Sequence, residues 1–459
     1  MEISSQERDT TLKVLQHISE NPDLIDTDER FKSLIAKIYK QGRKRNQKYS
    51  YKSEDNRSIN EHKYCFICQQ KFFQAHHFYP GICISCGDFN YEKRRQTVDL
   101  SNRIAVVTGA RLRIGYATAL KLLRSGATVI VTTRFPHDAA KRYANETDFE
   151  QWKDCLHIYG LDLRHLESLD RFVKHILDSY TRLDIIVNNA AQTIRRPSHY
   201  YRHLLCFESL SWEALPESIK GLVSHHHDFY LGKEQKKYNI ASTFIEDRDK
   251  QLISLKLTNK SNFSALLSQI DSLSKDIENN ALFPQGKYNL DGEQLDLRIF
   301  NSWLMKDEEV DLLELLEVHV INAIAPFIIN SRLKTLMKSQ QNLDKYIINV
   351  SSAEGNFSNS NKSWRHPHTN MAKAALNQMT KTCAKEYAQH RIFMNAVDPG
   401  WVSFQQPYHQ VEAMKKKGIK LRLDIVDSAA RIYDPIYLGI AKKQYFYGKL
   451  FKNYKESAW

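Results

Sequence analysis

The chain has 459 residues, 42% hydrophobic and 26% charged, which is room for two or three cores and an ordinary balance for a globular protein. Its 66 Lys and Arg against 53 Asp and Glu leave a formal charge of +13. The positive residues are scattered, with short clusters only at Arg43 to Arg45, Lys93 to Arg95 and Lys415 to Lys417, which argues for a solvated basic surface and against a dedicated nucleic-acid face. No apolar run approaches the roughly 18 residues of a membrane span. The stretch Met1 to Leu24 is polar and lacks the apolar core of a signal peptide. The expectation is a cytoplasmic protein with no membrane role.

In chain order, residues 1–60 read as a helical segment followed by a linker. Leu12, Val14, Leu15 and Ile18, then Phe31, Leu34, Ile35 and Ile38, carry helix-like spacing, and Lys44 to Glu61 is polar and charged. Residues 61–100 hold four of the seven cysteines, as Cys65-x2-Cys68 and Cys83-x2-Cys86. Each pair fits a tight turn that presents two thiolates to one edge of a tetrahedron, the geometry of a closed structural zinc site. The aromatic residues around them (Tyr64, Phe66, Phe72, Phe73, Phe78, Tyr79) make a core too small to fold without metal. His76 and His77 are competing donors, although four thiolates already complete the shell. Clustered cysteines with three isolated others (Cys155, Cys206, Cys383) point to a reducing compartment rather than a disulfide framework.

From residue 101 to 459, β-branched runs alternate with helical patterns, which predicts an α/β fold with a doubly wound parallel Rossmann sheet. The predicted core strands are Ile104–Thr108, Thr128–Thr133, Leu183–Asn188, Tyr346–Val350 and Ile392–Val397. The interval between the third and fourth exceeds one crossover, so residues 199–305 read as a large insertion without a strand ladder. Within it Leu266, Ile270, Leu273 and Ile277 predict an amphipathic helix. A helical stretch Leu312–Ile321 leads into Asn322.

The run Thr108-Gly109-Ala110-Arg111-Leu112-Arg113-Ile114-Gly115 follows the first of these strands and opens a helix. Glycines there let backbone N–H groups and the helix N-terminus approach a pyrophosphate. The second strand ends in Thr132-Thr133-Arg134, and further segments read Gly160-Leu161-Asp162-Leu163, Asn188-Asn189-Ala190-Ala191 and Pro399-Gly400. In order and spacing these pieces resemble the short-chain dehydrogenase/reductase family over about 102–198 and 310–404. The family's glycine motif has a middle glycine where this chain has Arg113, and Ala191 replaces a glycine. The resemblance implies cofactor contacts from Thr108, Gly109, Arg111, Arg113, Ile114, Gly115, Arg134, Asp162, Asn189, Ala190, Pro399 and Gly400. Arg134, with Arg111 or Arg113, favours NADP by pairing with a 2′-phosphate; NAD is the alternative.

The same resemblance implies a catalytic set. Ser352, in Asn349-Val350-Ser351-Ser352, matches the serine that holds the substrate oxygen; Asn322 matches the asparagine that supports a relay water; Lys373 matches the lysine that holds the cofactor ribose and lowers the pKa of a tyrosine. Four residues before Lys373 that tyrosine is replaced by Thr369. A threonine hydroxyl shares the helical face of Lys373, but its pKa is too high for the general-acid role of a phenol. Replacement donors offered by the sequence are Tyr200, Tyr201, His366 and His368; a water in place of the phenol is another route. Arg195 and Arg196 sit where substrate enters, as an anion clamp or as a solvated pair.

The implied function is an NAD(P)-dependent oxidoreductase acting on a small-molecule carbonyl or alcohol that the sequence does not identify. The rival is an NADP(H)-binding sensor or scaffold without turnover. Family members form dimers or tetramers, so a homo-oligomer is a further expectation.

Overall fold

The computed structural model describes residues 57–231, 280–360 and 362–459, with Thr10, Thr11, Lys13, Val14, His17, Ser264 and Ala265. Most of the expected N-terminal helical segment, and the helix expected over Leu266 to Ile277, lie outside the described residues. The chain divides into two compact units, Met1–Asp88 and Phe89–Trp459.

In the first unit, strands β1 (Arg57–Tyr64) and β2 (Lys71–Ala75) form an antiparallel pair. The expected linker therefore ends at Arg57, because the run up to Tyr64 pairs with Lys71–Ala75. Helix α1 (Ile84–Arg95) begins between Cys83 and Cys86.

The second unit is built on an eight-stranded sheet. Its strands are β3 (Ile104–Thr108), β4 (Thr128–Thr133), β5 (Leu156–Gly160), β6 (Ile185–Asn188), β7 (Lys345–Val350), β8 (Ile392–Asp398), β9 (Leu450–Lys452) and β10 (Lys455–Ser457), in the order β10-β9-β8-β7-β6-β3-β4-β5. All neighbours are parallel except β9 and β10. The five expected strands are present. β5 escapes the sequence pattern because His157 interrupts a short run, and β9 and β10 are three residues each.

Alternation sorts each central strand onto two faces. Ala105, Val107, Ile185 and Val187 face helices α2 (Arg113–Leu123) and α11 (Ile425–Lys442). Val106 and Ile186 face α4 (Leu166–Ser179) and α8 (Ala325–Lys338). Helix α3 (Pro136–Ala144) follows β4. The order reverses between β3 and β6, the point beyond whose carboxyl ends ligands usually bind in such sheets.

The described part of the insertion contains α5 (Ser198–Glu208) and α6 (Glu217–Leu231), with an isolated bridge between Tyr288 and Gln294. Helix α7 (Leu312–His319) then runs through a π-helical turn, Val320–Ile324, into α8. The continuous stretch Leu312–Lys338 is long enough, and over an 18-residue window within it apolar enough, to cross a membrane by length and composition. This corrects the expectation that no such run exists. Its inner face supplies Val318, Ala325, Ile329, Leu333 and Met337, all wholly buried, to the core. The remaining helices are α9 (Pro367–Ala388) and α10 (Tyr408–Lys416).

Candidate active site

The turn after β3 has the tight geometry its sequence implies. Gly109 has φ +66°, and a Cβ there would lie 2.8 Å from the Ala190 backbone; one at Gly115 would lie 2.4 Å from Asn189 Nδ2. Thr108 Oγ1 accepts the amides of Asn189 (3.1 Å) and Ala190 (3.0 Å), and Asn189 Nδ2 donates to the carbonyls of Thr108 and Gly109. These bonds tie the ends of β3 and β6 together. Arg113, where the family pattern has glycine, retains the left-handed backbone at φ 52°. Ile114 packs against the core beneath the turn.

The arginines of this turn are engaged, contrary to the expectation of free phosphate ligands. Arg111 makes a two-pronged pair with Glu293 (2.8 and 2.5 Å) and a bond to Asp138 (2.7 Å). Arg113 Nε donates to Asp291 at 2.9 Å. Burial works to raise the Glu293 carboxyl pKa, but Arg111 and Arg142 hold it below the usual carboxylate value. Arg134, at the end of β4, donates to Tyr201 Oη at 2.7 Å and lies over the Tyr201 ring. Asp162 is gripped by the Arg164 guanidinium and the Arg164 amide, so its carboxylate is already satisfied where an adenine contact was expected.

The catalytic candidates converge at the carboxyl end of β7. Ser352 follows the strand in extended conformation, and its hydroxyl has no hydrogen-bond partner among the described residues. Its neighbour Ser351 is buried and donates to Asn377 Oδ1 at 2.6 Å. Thr369 and Lys373 lie one turn apart on α9, both buried. Thr369 Oγ1 has no hydrogen-bond partner among the described residues. Lys373 Nζ donates to the Val350 carbonyl at 2.7 Å. Burial pushes its ammonium down to about 8, opposed by the attraction of Glu354. Pro399 and Gly400 follow β8; Ser428 bonds the Pro399 carbonyl, and Gly400 has φ +85°.

Asn322 sits in the π-helical turn, where its Oδ1 accepts the Gln192 amide (2.8 Å) and its Nδ2 donates to the Gln192 carbonyl (3.1 Å). Both ends of the side chain position the loop after β6.

The substitute proton donors fare differently from expectation. Tyr200 and Tyr201 lie on α5 beside Phe135 and Arg134, at the end of β4, three strands from β7 and so on the order of 14 Å away. His366 stacks on Trp303 with ring centroids 3.8 Å apart. His368 is buried, its imidazole pushed down to about 4 by burial and by His366 and His319, with Nε2 3.8 Å from Glu314 Oε1. A neutral imidazole is a poor acid at pH 7.

Arg195 and Arg196 form neither a clamp nor a solvated pair. Arg195 Nε donates to Glu317 (3.2 Å) and Arg196 pairs with Asp296. Glu317, which the sequence did not single out, also accepts from Arg164 (3.1 Å) and Gln192 (3.0 Å). Beside the start of α9 lies a cavity of about 350 Å³ lined by residues including Trp303, Glu354, Lys362, Trp364 and His366.

In the first unit, the four sulfurs of Cys65, Cys68, Cys83 and Cys86 lie within 4.8 Å of one another, with Cys68 and Cys83 3.9 Å apart. A tetrahedron with Zn–S near 2.3 Å has edges of about 3.8 Å, so the donor set fits. Burial raises the Cys65 thiol pKa, but amide bonds from the turn outweigh it and bring it to about 7. His76 is directed elsewhere: its Nδ1 accepts the amides of Phe78 and Tyr79, and Nε2 faces Asp88 at 3.2 Å.

The sequence matches two family models, one described as short chain dehydrogenase over residues 103–209 and one as enoyl-(acyl carrier protein) reductase over 300–420. The matched segments leave out 210–299, within the insertion. An uncharacterised protein of Acanthamoeba polyphaga mimivirus is 29% identical over 397 residues, covering 83% of this chain and 72% of that protein. An uncharacterised oxidoreductase of Staphylococcus haemolyticus is 30% identical over 126 residues, covering 27% of this chain and 50% of its own. The match thus spans only half of that relative's length. Among solved structures, a Pseudomonas aeruginosa RhlG/NADP active-site complex is 18% identical, with TM-score 0.46, covering 77% of this chain and 95% of that one.

Proposed function

This chain belongs to the short-chain dehydrogenase/reductase family, and on that premise we propose that it is an oxidoreductase that binds a nicotinamide dinucleotide, NADP in preference to NAD, and acts on a carbonyl or alcohol. The observation that carries this reading is the convergence of Ser352, Thr369 and Lys373 beyond β7, with Lys373 buried and its nearest bond a backbone carbonyl. Arg134 at the end of β4 favours the 2′-phosphate form.

A bound nicotinamide supplies or accepts the hydride at the substrate carbon. In the reductive direction, the unpartnered Ser352 hydroxyl orients the substrate oxygen. A water in place of the missing phenol passes a proton to that oxygen and takes one from the Lys373 ammonium, with the Thr369 hydroxyl on the same helical face to hold it, so no free alkoxide forms. An ammonium near pKa 8 is a serviceable acid at neutral pH. Asn322 and Glu317 position the loop 189–195 and do not touch substrate. The cavity beside Trp303 and His366 is the proposed substrate chamber.

The cysteine cluster is proposed to hold one structural zinc ion, as suits a reducing compartment such as the cytoplasm. Exposed Leu316, Ile324 and Phe327 on the α7–α8 stretch offer a homo-oligomer an apolar face. A second reading, a dinucleotide-binding sensor without turnover, is favoured by the lack of a phenol at residue 369.

Titration of the zinc-loaded protein with NADPH and NADH, for wild type, Lys373→Ala and Arg134→Ala, tests the first step. A panel of aldehydes and ketones followed by NADPH absorbance tests the second. Binding weakened by both substitutions together with turnover supports the oxidoreductase; binding without turnover supports the sensor; no binding refutes both.

A further inference from the structure

The insertion places two carboxylates on the arginines of the glycine turn, about 180 residues away in sequence. Arg111 is 8% exposed and Glu293 4%, and their pairing is two-pronged, the geometry by which a guanidinium also takes phosphate. Arg142 extends the cluster: its Nε donates to Asp138 (2.6 Å), its Nη1 to the Asp291 carbonyl (2.8 Å) and its Nη2 to Glu293 (3.3 Å). Arg113 takes the Asp291 carboxylate. Three guanidiniums thus face three carboxylates. Without Asp291 and Glu293, Arg111 and Arg142 would share Asp138 and Arg113 would lose its ion pair, at the mouth of a turn whose amides already favour an anion.

The acidic segment is a preformed turn. The Gly292 amide donates to the Asn289 carbonyl, Asn289 N to the Glu293 carbonyl, and Asn289 Oδ1 accepts the amides of Asp291 and Glu293. Its tip, Leu290, is fully exposed. This turn can therefore leave the arginines as a unit without unpairing any strand of the eight-stranded sheet.

We propose that Asp291 and Glu293 are an internal surrogate for the phosphates of the dinucleotide, holding Arg111 and Arg113 until a cofactor displaces them. This rests on the cofactor reading above. The strap sets a threshold: only a ligand that brings its own phosphates opens the site.

The test compares wild type, Asp291→Asn and the double variant Asp291→Asn/Glu293→Gln for binding of NADPH, NADH and inorganic pyrophosphate. The double variant should bind NADPH at least tenfold more tightly than wild type, with Asp291→Asn between them and a smaller gain for NADH. If wild type binds NADPH and the variants bind no better, the strap is purely structural and the proposal is overturned, while the cofactor reading stands. If neither cofactor binds any form, the cofactor reading fails, and pyrophosphate decides the strap: a tenfold gain in the double variant keeps it, and no gain rejects it. Should the double variant not fold, Asp291→Asn alone and trypsin cleavage of wild type at Lys287 decide. Cleavage faster with NADPH supports displacement, and cleavage unchanged or slower overturns it.

Discussion

Arg113 combines a left-handed backbone, φ 52°, with an ion pair to Asp291 at 2.9 Å. The residue keeps the shape of a glycine turn while adding a charge. Left-handed geometry costs a non-glycine residue about 1 kcal/mol or somewhat more. The partner pair is about 40% exposed on each side and contributes at most about 1 kcal/mol. Arg113→Ala keeps the strain and loses the pair, whereas Arg113→Gly loses both. Urea melts should therefore place the glycine variant about 1 kcal/mol above the alanine variant; equal stabilities would refute a strained turn.

Thr369 separates catalysis from stability. Its buried hydroxyl has no hydrogen-bond partner among the described residues, so Thr369→Val should be neutral or slightly stabilising. If that hydroxyl holds the relay water, turnover should fall by roughly 10²-fold with cofactor affinity unchanged. A valine variant with full turnover would remove Thr369 from the mechanism.

Lys373 carries a pH signature. Its folded pKa is depressed from 10.5 to about 8 by burial, so the unfolded chain binds the extra proton between these values. The wild type is penalised fully below about pH 8 and gains stability as pH rises from about 8 to 10.5. Relative to Lys373→Met, which loses the bond to Val350 at every pH, the wild type should gain up to about 3 kcal/mol over that window. Paired denaturation curves at pH 7 and pH 10 measure this, and a constant difference would contradict a buried, depressed ammonium. Reductive turnover should fall as pH rises through about 8, where the folded chain loses this acid.

Glu317 is the hub of the loop after β6, bonded to Arg164, Arg195 and Gln192. Glu317→Ala takes this carboxylate from the buried Arg195, while Arg164 keeps Asp162, and should cost about 3 kcal/mol. A loss below about 1 kcal/mol would mean that Arg195 does not depend on this carboxylate.

The cysteine cluster predicts one zinc per chain, with four sulfur ligands near 2.3 Å by X-ray absorption. Cys83→Ser should abolish stoichiometric metal and expose the β1–β2 pair to protease, while His76→Ala should retain it. Loss of metal in the histidine variant would place an imidazole in the shell.

The sequence by itself determined the parallel sheet, the spacing of the four cysteines and the placing of Thr369 and Lys373 one helical turn apart on α9. Each follows from local order: β-branched runs such as Thr128–Thr133, a glycine turn at a strand end, two residues one helical turn apart. It missed β5, β9 and β10, whose short runs form strands only because a neighbouring edge supplies hydrogen-bond partners. Only the tertiary structure decided how charges pair. Arg111 with Glu293, Arg195 with Glu317 and Arg196 with Asp296 join residues about 100 to 180 positions apart. Such pairs leave no periodicity in the chain, and burial alone makes them obligatory, because a guanidinium taken out of water must meet a carboxylate wherever the fold provides one. The same physics moved Tyr200 and Tyr201 away from the chemistry. Strand order set them at the end of β4, and sequence proximity to the loop after β6 could not reveal it.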